Sequence, residues 1–339
     1  MSLSQPNVAV VGATGAVGSE LIACLEHRNF PLHELRLFAS GRSSGRKLPY
    51  RGGMLPVETL GDEALAGTDI ALICAGSDVS RECAPRAARH GTIVIDNSSA
   101  FRMDNAVPLV VPEVNAEAIG AHHGIIANPN CVAIISVIAL WPLHREFGIR
   151  RMIAATYQAA SGAGAAAMEE LRQSTRAALA GESFTPRVLR HPYAFNLYSH
   201  DTAVDPATGA NEEETKVMRE LRKIMRSPDL KISVTCIRVP VLRAHAVALT
   251  LEFERPVTPA AARELLAQSP GVRIVDDVAG NHFPMPIEAS GQGDVLVGRI
   301  RSDSSDPSGH SLALFVAGDQ LLKGAALNAV QIAERLLVD

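Results

Sequence analysis

Along the first 130 residues, short runs of consecutive apolar residues alternate with longer segments whose apolar positions recur at helical spacing. Uninterrupted apolar runs are typical of strands buried on both faces, so this alternation predicts an α/β fold with a parallel sheet. The predicted strands are VAVVG from Val8, LRLFA from Leu35, IALICAG from Ile70, TIVID from Thr92, LVVPEV from Leu109 and GIIAN from Gly124. Helices are predicted near Ser19–His27 and Ser80–His90.

The pattern changes at Cys131, where a long apolar helix is predicted near Val132–Phe147. Residues 181–211 are rich in Pro, His, Asp and Gly, and they predict an irregular excursion. The other predicted elements are a strand in MIAATYQAA, a helix near Met168–Leu179, a charged helix in EEETKVMRELRKIM, two neighbouring strands in LKISVTCIRVPV and HAVALTLEFER, a helix near Pro259–Gln268, two further strands in VLVGRIR and SLALFVAG, and an amphipathic helix in LLKGAALNAVQIAERLL that we expect to pack on the first domain.

Composition narrows the class of protein. The chain has 339 residues, of which 47% are hydrophobic and 20% charged, which fits about two globular domains. The net charge of −4 without a basic stripe argues against a nucleic-acid partner, and no apolar run is long enough to predict a membrane partner. No secretory signal is visible, and five scattered cysteines suggest neither disulfides nor a metal site. We therefore expect a cytoplasmic protein without a metal.

A glycine-rich loop follows the first predicted strand. VAVVG continues into GATGAVG, which places Gly12, Gly15 and Gly18 between a strand and a helix. Such glycines allow a tight turn and close backbone approach to a phosphate, and the helix directs its free N–H groups at the anion. The sequence therefore predicts a dinucleotide site, the alternative being a tight turn that binds nothing.

The end of the second predicted strand bears on the choice of cofactor. An NAD site usually has a carboxylate there, but this chain has Ser40, Arg42 and Ser43 in a Gly-rich loop. An arginine flanked by hydroxyls suits the 2′-phosphate of NADP. We therefore expect NADP, although the loop also fits a solvated polar turn.

One of the five cysteines stands apart from the others. Cys131 follows Asn130 in IANPNCVAI, between a predicted strand and the start of a helix, where the helix dipole stabilises a thiolate. The other four lie in apolar or amphipathic segments typical of packing. A nucleophilic thiol needs a proton acceptor, and His245 in RVPVLRAHAVAL is a candidate. Packing for Cys131 and a surface or core position for His245 are the alternatives.

Nine motifs, in this order, resemble those of the aspartate-β-semialdehyde dehydrogenase family: GATGAVG, SGRSSG, DNSSAFR, VPLVVPEVN, NPNC, TYQAASGAG, EEETK, RVPVLRAH and LLKGAALNAVQIAE. The resemblance implies NADPH-dependent reductive dephosphorylation of L-aspartyl-4-phosphate to the semialdehyde and phosphate. This reaction serves lysine, methionine, threonine and isoleucine synthesis. The family also implies a homodimer or a tetramer.

The resemblance implies two domains in an α/β fold. A Rossmann-type NADP-binding domain would comprise residues 1–130 plus 322–339. An α+β substrate and dimerisation domain with a mixed sheet would comprise residues 131–321.

Catalytic roles also follow from the resemblance. Cys131 resembles the acyl-accepting nucleophile, His245 the general acid/base, and Gln158 the residue that orients the thioester. Taken alone, Gln158 would be an ordinary strand residue.

Five residues resemble the family's substrate-binding groups. Arg102 and Lys216, helped by Asn130, correspond to the phosphate site. Glu213 and Arg238 correspond to the clamps on the ammonium and the α-carboxylate. These charges suit such groups chemically. Arg102 could instead cap a strand end, and Glu213 with Lys216 could form a surface ion pair.

The nicotinamide would lie beside Ser161, which also contacts substrate, and beside Gly162. The cofactor-binding residues implied by the loop and the resemblance are Gly12, Ala13, Thr14, Gly15, Ala16, Val17, Ser40, Arg42, Ser43, Ser161, Gly162 and Asn328.

Three alternatives remain at this point. An N-acetylglutamyl-phosphate reductase shares the overall plan, but it would not need a carboxylate such as Glu213 for a free ammonium. A dinucleotide-binding scaffold without chemistry would leave Cys131 unreactive. A glyceraldehyde-3-phosphate-type dehydrogenase uses similar thiol chemistry with different motifs.

Overall fold

The computed structural model of the protein describes residues 4–337. Contacts group the chain into two compact units, Met1–Asn130 with Ala325–Asp339, and Cys131–Gly324. Each unit is built on a seven-stranded sheet. Within the described residues, no helix is long and apolar enough to cross a bilayer, and no cluster of three or more His, Cys, Asp or Glu side chains could hold a metal ion.

The first unit alternates strands with helices, as the apolar runs predict. Its elements are β1 Asn7–Val11, α1 Ala16–His27, β2 Glu34–Ala39, β3 Lys47–Tyr50, β4 Gly53–Thr59, β5 Ile70–Ile73, α2 Ser77–Arg89, β6 Ile93–Asp96, α3 Pro112–Asn115, β7 Ile125–Ala127 and a C-terminal helix, Leu327–Glu334.

The sheet of the first unit has the strand order β3-β4-β2-β1-β5-β6-β7, and every pair except β3–β4 is parallel. Ala9 and Val11 of β1 pack with Ala84 and Ala87 of α2 in one core cluster. Val10 points to the opposite face and is also fully buried. Helices therefore cover both faces, which explains why the strands are apolar throughout.

The prediction of a strand from Leu109 is wrong apart from one bridge between Leu109 and Ala127. Pro112 has no N–H to donate to a sheet and instead begins the short helix α3. The Asn115 side chain accepts from the Val111 amide at 2.9 Å and donates to the Leu109 carbonyl at 2.9 Å. It thus satisfies backbone groups that a strand would have paired.

The hairpin of β3 and β4 was not predicted. It turns at Arg51 and Gly52, which have φ of 45° and 75°. Two successive residues with positive φ make the tight turn that suits the twist of a hairpin. The strands themselves carry polar and Pro residues on exposed positions, so their hydrophobic pattern is weak.

The second unit carries the mixed sheet that the resemblance implies. Its elements are α4 Cys131–Phe147, β8 Ile149–Gln158, α5 Ala165–Ala180, β9 Tyr198–Ser199, α6 Glu212–Ile224, β10 Lys231–Arg238, β11 His245–Phe253, α7 Pro259–Ala267, β12 Val272–Ile274, α8 Pro286–Ala289, β13 Val295–Ser302 and β14 Ser311–Gly318.

Strands β10 and β11 are not neighbours, contrary to the prediction, because β8 lies between them in the order β12-β13-β14-β11-β8-β10-β9. β8 pairs parallel with β10 and antiparallel with β11. Hydrophobic alternation identifies each strand but does not determine which strand it pairs with. Helix α4 packs against β8, β11, β13 and β14, and ten of its residues are fully covered.

The segment predicted to be irregular contains one two-residue strand, β9. The closing helix of the chain, α9 Leu327–Glu334, is preceded by a π-helical turn at Leu322–Ala326. α9 packs against α1, α3 and β6 of the first unit.

Candidate active site

The glycine loop of the first unit has the geometry of a phosphate cradle. Gly12 has φ +90°, and a Cβ there would lie 2.9 Å from the Cys74 carbonyl oxygen. A Cβ on Gly18 would lie 2.2 Å from the Gly12 carbonyl oxygen. Both positions therefore require glycine. Helix α1 starts at Ala16, after Gly15, without a side-chain cap, which leaves its first N–H groups for an anion.

The end of β2 lies beside this loop. The amides of Gly12 and Ala13 both donate to the Phe38 carbonyl, at 2.8 and 3.0 Å. The hydroxyls of Thr14 and Ser43 lie 3.2 Å apart. Ser40 and Arg42 are exposed on the same turn, and an adjacent cavity of about 350 Å³ reaches from Gly12 and Ser40 to Cys83 and Arg86 of α2. Of the predicted cofactor-binding residues, Gly12 and Ser40 line this cavity.

Asn328 belongs to a different part of the first unit. It is fully buried, and its Nδ2 donates to the Val110 carbonyl at 3.0 Å and to Asn128 Oδ1 at 2.7 Å. Arg102 is also buried; it donates to the carbonyls of Asn128 at 3.0 Å and Asn97 at 2.8 Å. Arg102 and Asn328 therefore both bond to Asn128, which begins the NPNC motif but was given no role by the sequence.

Cys131 is the first residue of α4 and is half-buried. The residue before it, Asn130, is buried and lies just outside the helix, so the helix begins where the sequence predicts. A Cβ on Gly324 would lie 3.1 Å from the Cβ of Cys131, so the π-helical turn packs closely on the thiol. Among the other cysteines, burial raises the pKa of Cys74 to about 12 and of Cys83 to about 11, which keeps these thiols protonated.

His245 begins β11 and is fully buried. Its Nδ1 accepts a hydrogen bond from the Ala159 amide at 2.9 Å, so the neutral ring carries its proton on Nε2. That Nε2 has no partner among residues 4–337. Burial, and then the charge of Arg238, holds the pKa of His245 well below its usual 6.5. The ring is therefore neutral, and its Nε2–H can donate a hydrogen bond to a ligand.

Gln158, at the end of β8, contacts the start of α6. Its Nε2 donates to Glu213 Oε1 at 3.2 Å, and its Oε1 accepts from Thr156 Oγ1 at 3.0 Å. Gln158 is 2% exposed and Glu213 7%. This carboxylate is therefore buried, and Lys216 lies 3.8 Å from Glu212.

Arg238 ends β10 and is 4% exposed. A Cβ on Gly162 would lie 3.1 Å from His245 Nε2 and 3.4 Å from Arg238 Nη1, so these three residues converge. The Ala159 peptide links them, since its N–H donates to His245 and its carbonyl accepts from Arg238 Nη1 at 3.3 Å.

Ser161 lies next to Gly162 and accepts a hydrogen bond from Gln320. The other end of the Gln320 amide accepts from the Ala244 backbone at 2.9 Å. Ala244 has φ +71°, a strained value for a side-chain-bearing residue, and it immediately precedes His245. Gln320 thus ties Ser161 to the backbone that orients His245.

Sequence reasoning found Cys131, Gln158, Glu213, Arg238, His245, Ser161 and Gly162, and the structure places all seven in the second unit. It missed Thr156, Gln320, His200 and Asp201, which support them. Only the alternation along β8, which puts Thr156 on the same face as Gln158, could have indicated one of these.

Comparisons with known proteins identify the family. Residues 7–122 match the model of the semialdehyde dehydrogenase NAD-binding domain, and residues 140–323 match that of the semialdehyde dehydrogenase dimerisation domain. The chain is 51% identical to the aspartate-semialdehyde dehydrogenase of a Synechocystis strain, with 98% of each chain covered. It is 47% identical to that of Aquifex aeolicus, with 97% of each covered.

Solved structures give the same result. The chain superposes on aspartate semialdehyde dehydrogenase II from Vibrio cholerae, crystallised in complex with ASA, with a TM-score of 0.94, 40% identity and 98% coverage of both chains. The motifs, the two-sheet α/β fold and these relatives agree from end to end. The chain belongs to the aspartate-semialdehyde dehydrogenase family, whose members are oxidoreductases of amino-acid biosynthesis.

Proposed function

We propose that the protein is an NADP-dependent, phosphorylating aspartate-semialdehyde dehydrogenase that reduces L-aspartyl-4-phosphate to L-aspartate-4-semialdehyde and phosphate. The observation that carries this proposal is the buried cluster of Gln158, Glu213, Arg238 and His245 in the unit that begins with Cys131. It offers an amide, a carboxylate, a guanidinium and an imidazole donor, and the same unit begins with a thiol at a helix start. This set of groups suits a substrate with an ammonium, a carboxylate and an acyl phosphate.

Cys131 acts as the nucleophile. Its thiolate, stabilised by the α4 dipole, attacks the acyl carbon. The new C–S bond replaces the C–O bond to phosphate, and phosphate leaves with that electron pair. When bound, NADPH would supply a hydride to the thioester carbon, and the product on Cys131 would be a thiohemiacetal. Cleavage of the C–S bond then releases the semialdehyde and restores the Cys131 thiolate.

His245 handles the proton as general acid/base, and its tautomer favours the acid half of that role. The Nε2–H can donate to the carbonyl oxygen while negative charge develops there, as a member of an oxyanion hole. Asn130 supplies a second polar group next to the thiol. Gln158, fixed by Thr156, orients the thioester.

Substrate recognition divides among the charged groups. Glu213 would bind the ammonium and Arg238 the α-carboxylate, since both are buried and oppositely charged. Arg102 and Lys216 would bind the phosphate. A free ammonium explains a buried Glu213, whereas an N-acetylated substrate would not, and this favours the aspartyl over the acetylglutamyl substrate.

The cofactor would lie along the glycine loop, in a domain formed by residues 1–130 plus 322–339. Gly12, Ala13, Thr14, Gly15, Ala16 and Val17 would hold the pyrophosphate. Ser40, Arg42 and Ser43, in the absence of a carboxylate on that turn, favour the 2′-phosphate of NADP. Ser161 and Gly162 would flank the nicotinamide, and Asn328 would also bind the cofactor.

Two further proposals concern the whole protein. The match to a dimerisation domain favours a homodimer of the second unit. The five cysteines are free thiols, which favours a reducing cytoplasm as its location.

The deciding experiment is the reverse reaction, followed by absorbance of the reduced nicotinamide. We expect phosphate-dependent reduction of NADP with L-aspartate-β-semialdehyde, and none for Cys131→Ser despite intact NADP binding. Cys24→Ser, a buried cysteine in α1, is the matched control and should keep activity. Activity only with N-acetylglutamate semialdehyde would assign the sister reaction. No activity with either substrate, from protein that binds NADP, would favour a non-catalytic scaffold.

A further inference from the structure

A short piece of the irregular excursion, Tyr198–Thr202, lies against the end of β10, and we call it the clamp segment. Tyr198 pairs with Arg238 in the antiparallel ladder, and the His200 amide donates to the Cys236 carbonyl at 2.9 Å. At its other end, Thr202 Oγ1 accepts from the Glu213 amide at 3.3 Å. The clamp segment thus touches both residues proposed to hold the charged ends of the amino acid.

His200 contacts the guanidinium of Arg238 directly. The Nη2 of Arg238 lies 2.8 Å from His200 Nε2, and both residues are buried, at 4% and 9% exposure. A guanidinium only donates, so His200 Nε2 must be the acceptor and the imidazole is neutral with its proton on Nδ1. Thr202 Oγ1, at 3.3 Å from Nδ1, can accept that proton.

Asp201 supplies the countercharge. Its Oδ1 lies 3.4 Å from Arg238 Nη2, and its side chain is 18% exposed. A buried guanidinium without a carboxylate nearby is strongly disfavoured, so Asp201 offsets part of the desolvation of Arg238. Asp201 and the uncharged His200 together occupy the Nη2 end of the group.

The rest of the guanidinium is arranged differently. Nη1 donates to the Ala159 carbonyl at 3.3 Å, while Nε is buried and has no partner within the described part of the chain. The Nη1 and Nη2 groups of Arg238 are therefore held by the protein, whereas the Nε–H can donate a hydrogen bond to a ligand. A side chain fixed in this way loses little entropy when it binds a carboxylate.

We propose that His200 and Asp201 are positioning residues for Arg238, and that through it they set the preference for substrates that carry an α-carboxylate. The inference rests on the proposed function, because it takes Arg238 as the carboxylate clamp. It gives the clamp segment, which lies in a largely irregular excursion, a specific role in substrate choice.

The test compares two aldehydes that differ only in the α-carboxylate, L-aspartate-β-semialdehyde and 3-aminopropanal, in the phosphate-dependent assay. His200→Phe removes the acceptor at similar size, and His200→Gln restores one. For His200→Phe we expect the KM for the semialdehyde to rise about 10- to 100-fold, the usual effect of losing a hydrogen bond to a charged group. We expect the KM values for NADP and phosphate to stay unchanged, and His200→Gln to recover most of the loss.

Because 3-aminopropanal has nothing for Arg238 to hold, the ratio of kcat/KM between the two aldehydes should fall for His200→Phe and for Asp201→Asn. His33→Phe, the same replacement at an exposed position of the first unit, is the matched control and should keep the wild-type ratio. An unchanged ratio in His200→Phe would overturn the inference, and so would equal losses on both aldehydes. A wild-type protein without phosphate-dependent activity would refute the proposed function itself.

Discussion

His200 and His245 are both buried near the guanidinium of Arg238, yet their hydrogen bonds fix opposite tautomers. The Ala159 amide forces the proton of neutral His245 onto Nε2, whereas Arg238 forces that of His200 onto Nδ1. Burial comes first and the positive charge of Arg238 second in lowering the pKa of both rings. Burial, reinforced by one arginine, thus favours the neutral form of both imidazoles, and of the two only His245 has a ring N–H without a partner in residues 4–337.

For His245→Gln we expect kcat/KM to fall roughly 10²- to 10⁴-fold, the usual contribution of a positioned acid or base. The pKa of His245 is lowered, so its neutral form persists as the pH falls through 6.5. The wild-type pH–rate profile should therefore show no decrease near pH 6.5 that belongs to His245. A decrease there that disappears in His245→Gln would show that the ring titrates normally.

Residue type limits what the sequence can predict about this site. Cys131 could be found because a thiol directly before a long apolar helix is an unusual placement. Gln320 could not, because it is an ordinary loop residue until its hydrogen bond to Ser161 is seen. The alternation along β8 places Thr156 on the same face as Gln158, but it does not show that the two side chains form a hydrogen bond. Supporting residues are defined by contacts between distant segments, which a single sequence does not contain.

At the scale of elements, Glu170 holds the irregular excursion to α5. Its carboxylate is 5% exposed and accepts three backbone amides, from Arg187 at 2.6 Å, Val188 at 2.7 Å and Leu189 at 2.9 Å. Burial alone would raise the pKa of Glu170, but these hydrogen bonds reverse the effect and lower it. The attachment is therefore complete above the unfolded pKa of about 4.5 and weakens as the pH falls through the lower folded value.

For Glu170→Gln we expect faster hydrogen exchange at the amides of 187–189, because the new amide cannot accept from all three donors. The lost contacts should reduce the free energy of attachment by about 1–3 kcal/mol. Glu169→Gln, at an exposed neighbouring position, is the matched control. Equal exchange in the two variants would mean that packing, for instance of Tyr193, holds the excursion without Glu170.

Elements with strong periodicity were predicted well, and those governed by one polar contact were not. The buried strands of the first unit follow from their apolar runs, and α4 begins one residue from its predicted start. The prediction of a strand in LVVPEV was wrong because Pro112 and the hydrogen bonds of Asn115 outweigh the apolar run. The place of β8 between β10 and β11 is a long-range pairing, which local pattern does not encode.

At the scale of the whole molecule, the second sheet has one face covered by α4 and another that is open. Ile153, Thr235, Thr250, Phe315 and Arg299 line a shallow concavity of about 340 Å³ on the open face. Ile153 is 41% exposed at its centre, unusual for a β-branched aliphatic residue on a strand. The match to a dimerisation domain spans these strands, so we take this face as the proposed contact between two copies.

Ile153→Asp should therefore convert the dimer to a monomer. A twofold contact repeats every substitution, so two carboxylates would lose their hydration at the contact, and a rise of at least about 100-fold in the dimer Kd is expected. Light scattering on the eluting protein over a range of concentrations measures the mass directly. Met54→Asp, which adds the same charge at an exposed strand position of the first unit, should leave the mass unchanged. If Ile153→Asp remains a dimer, the contact between the copies lies on another surface. If the wild-type protein is already a monomer, with its open face in solvent, the proposed dimer is refuted.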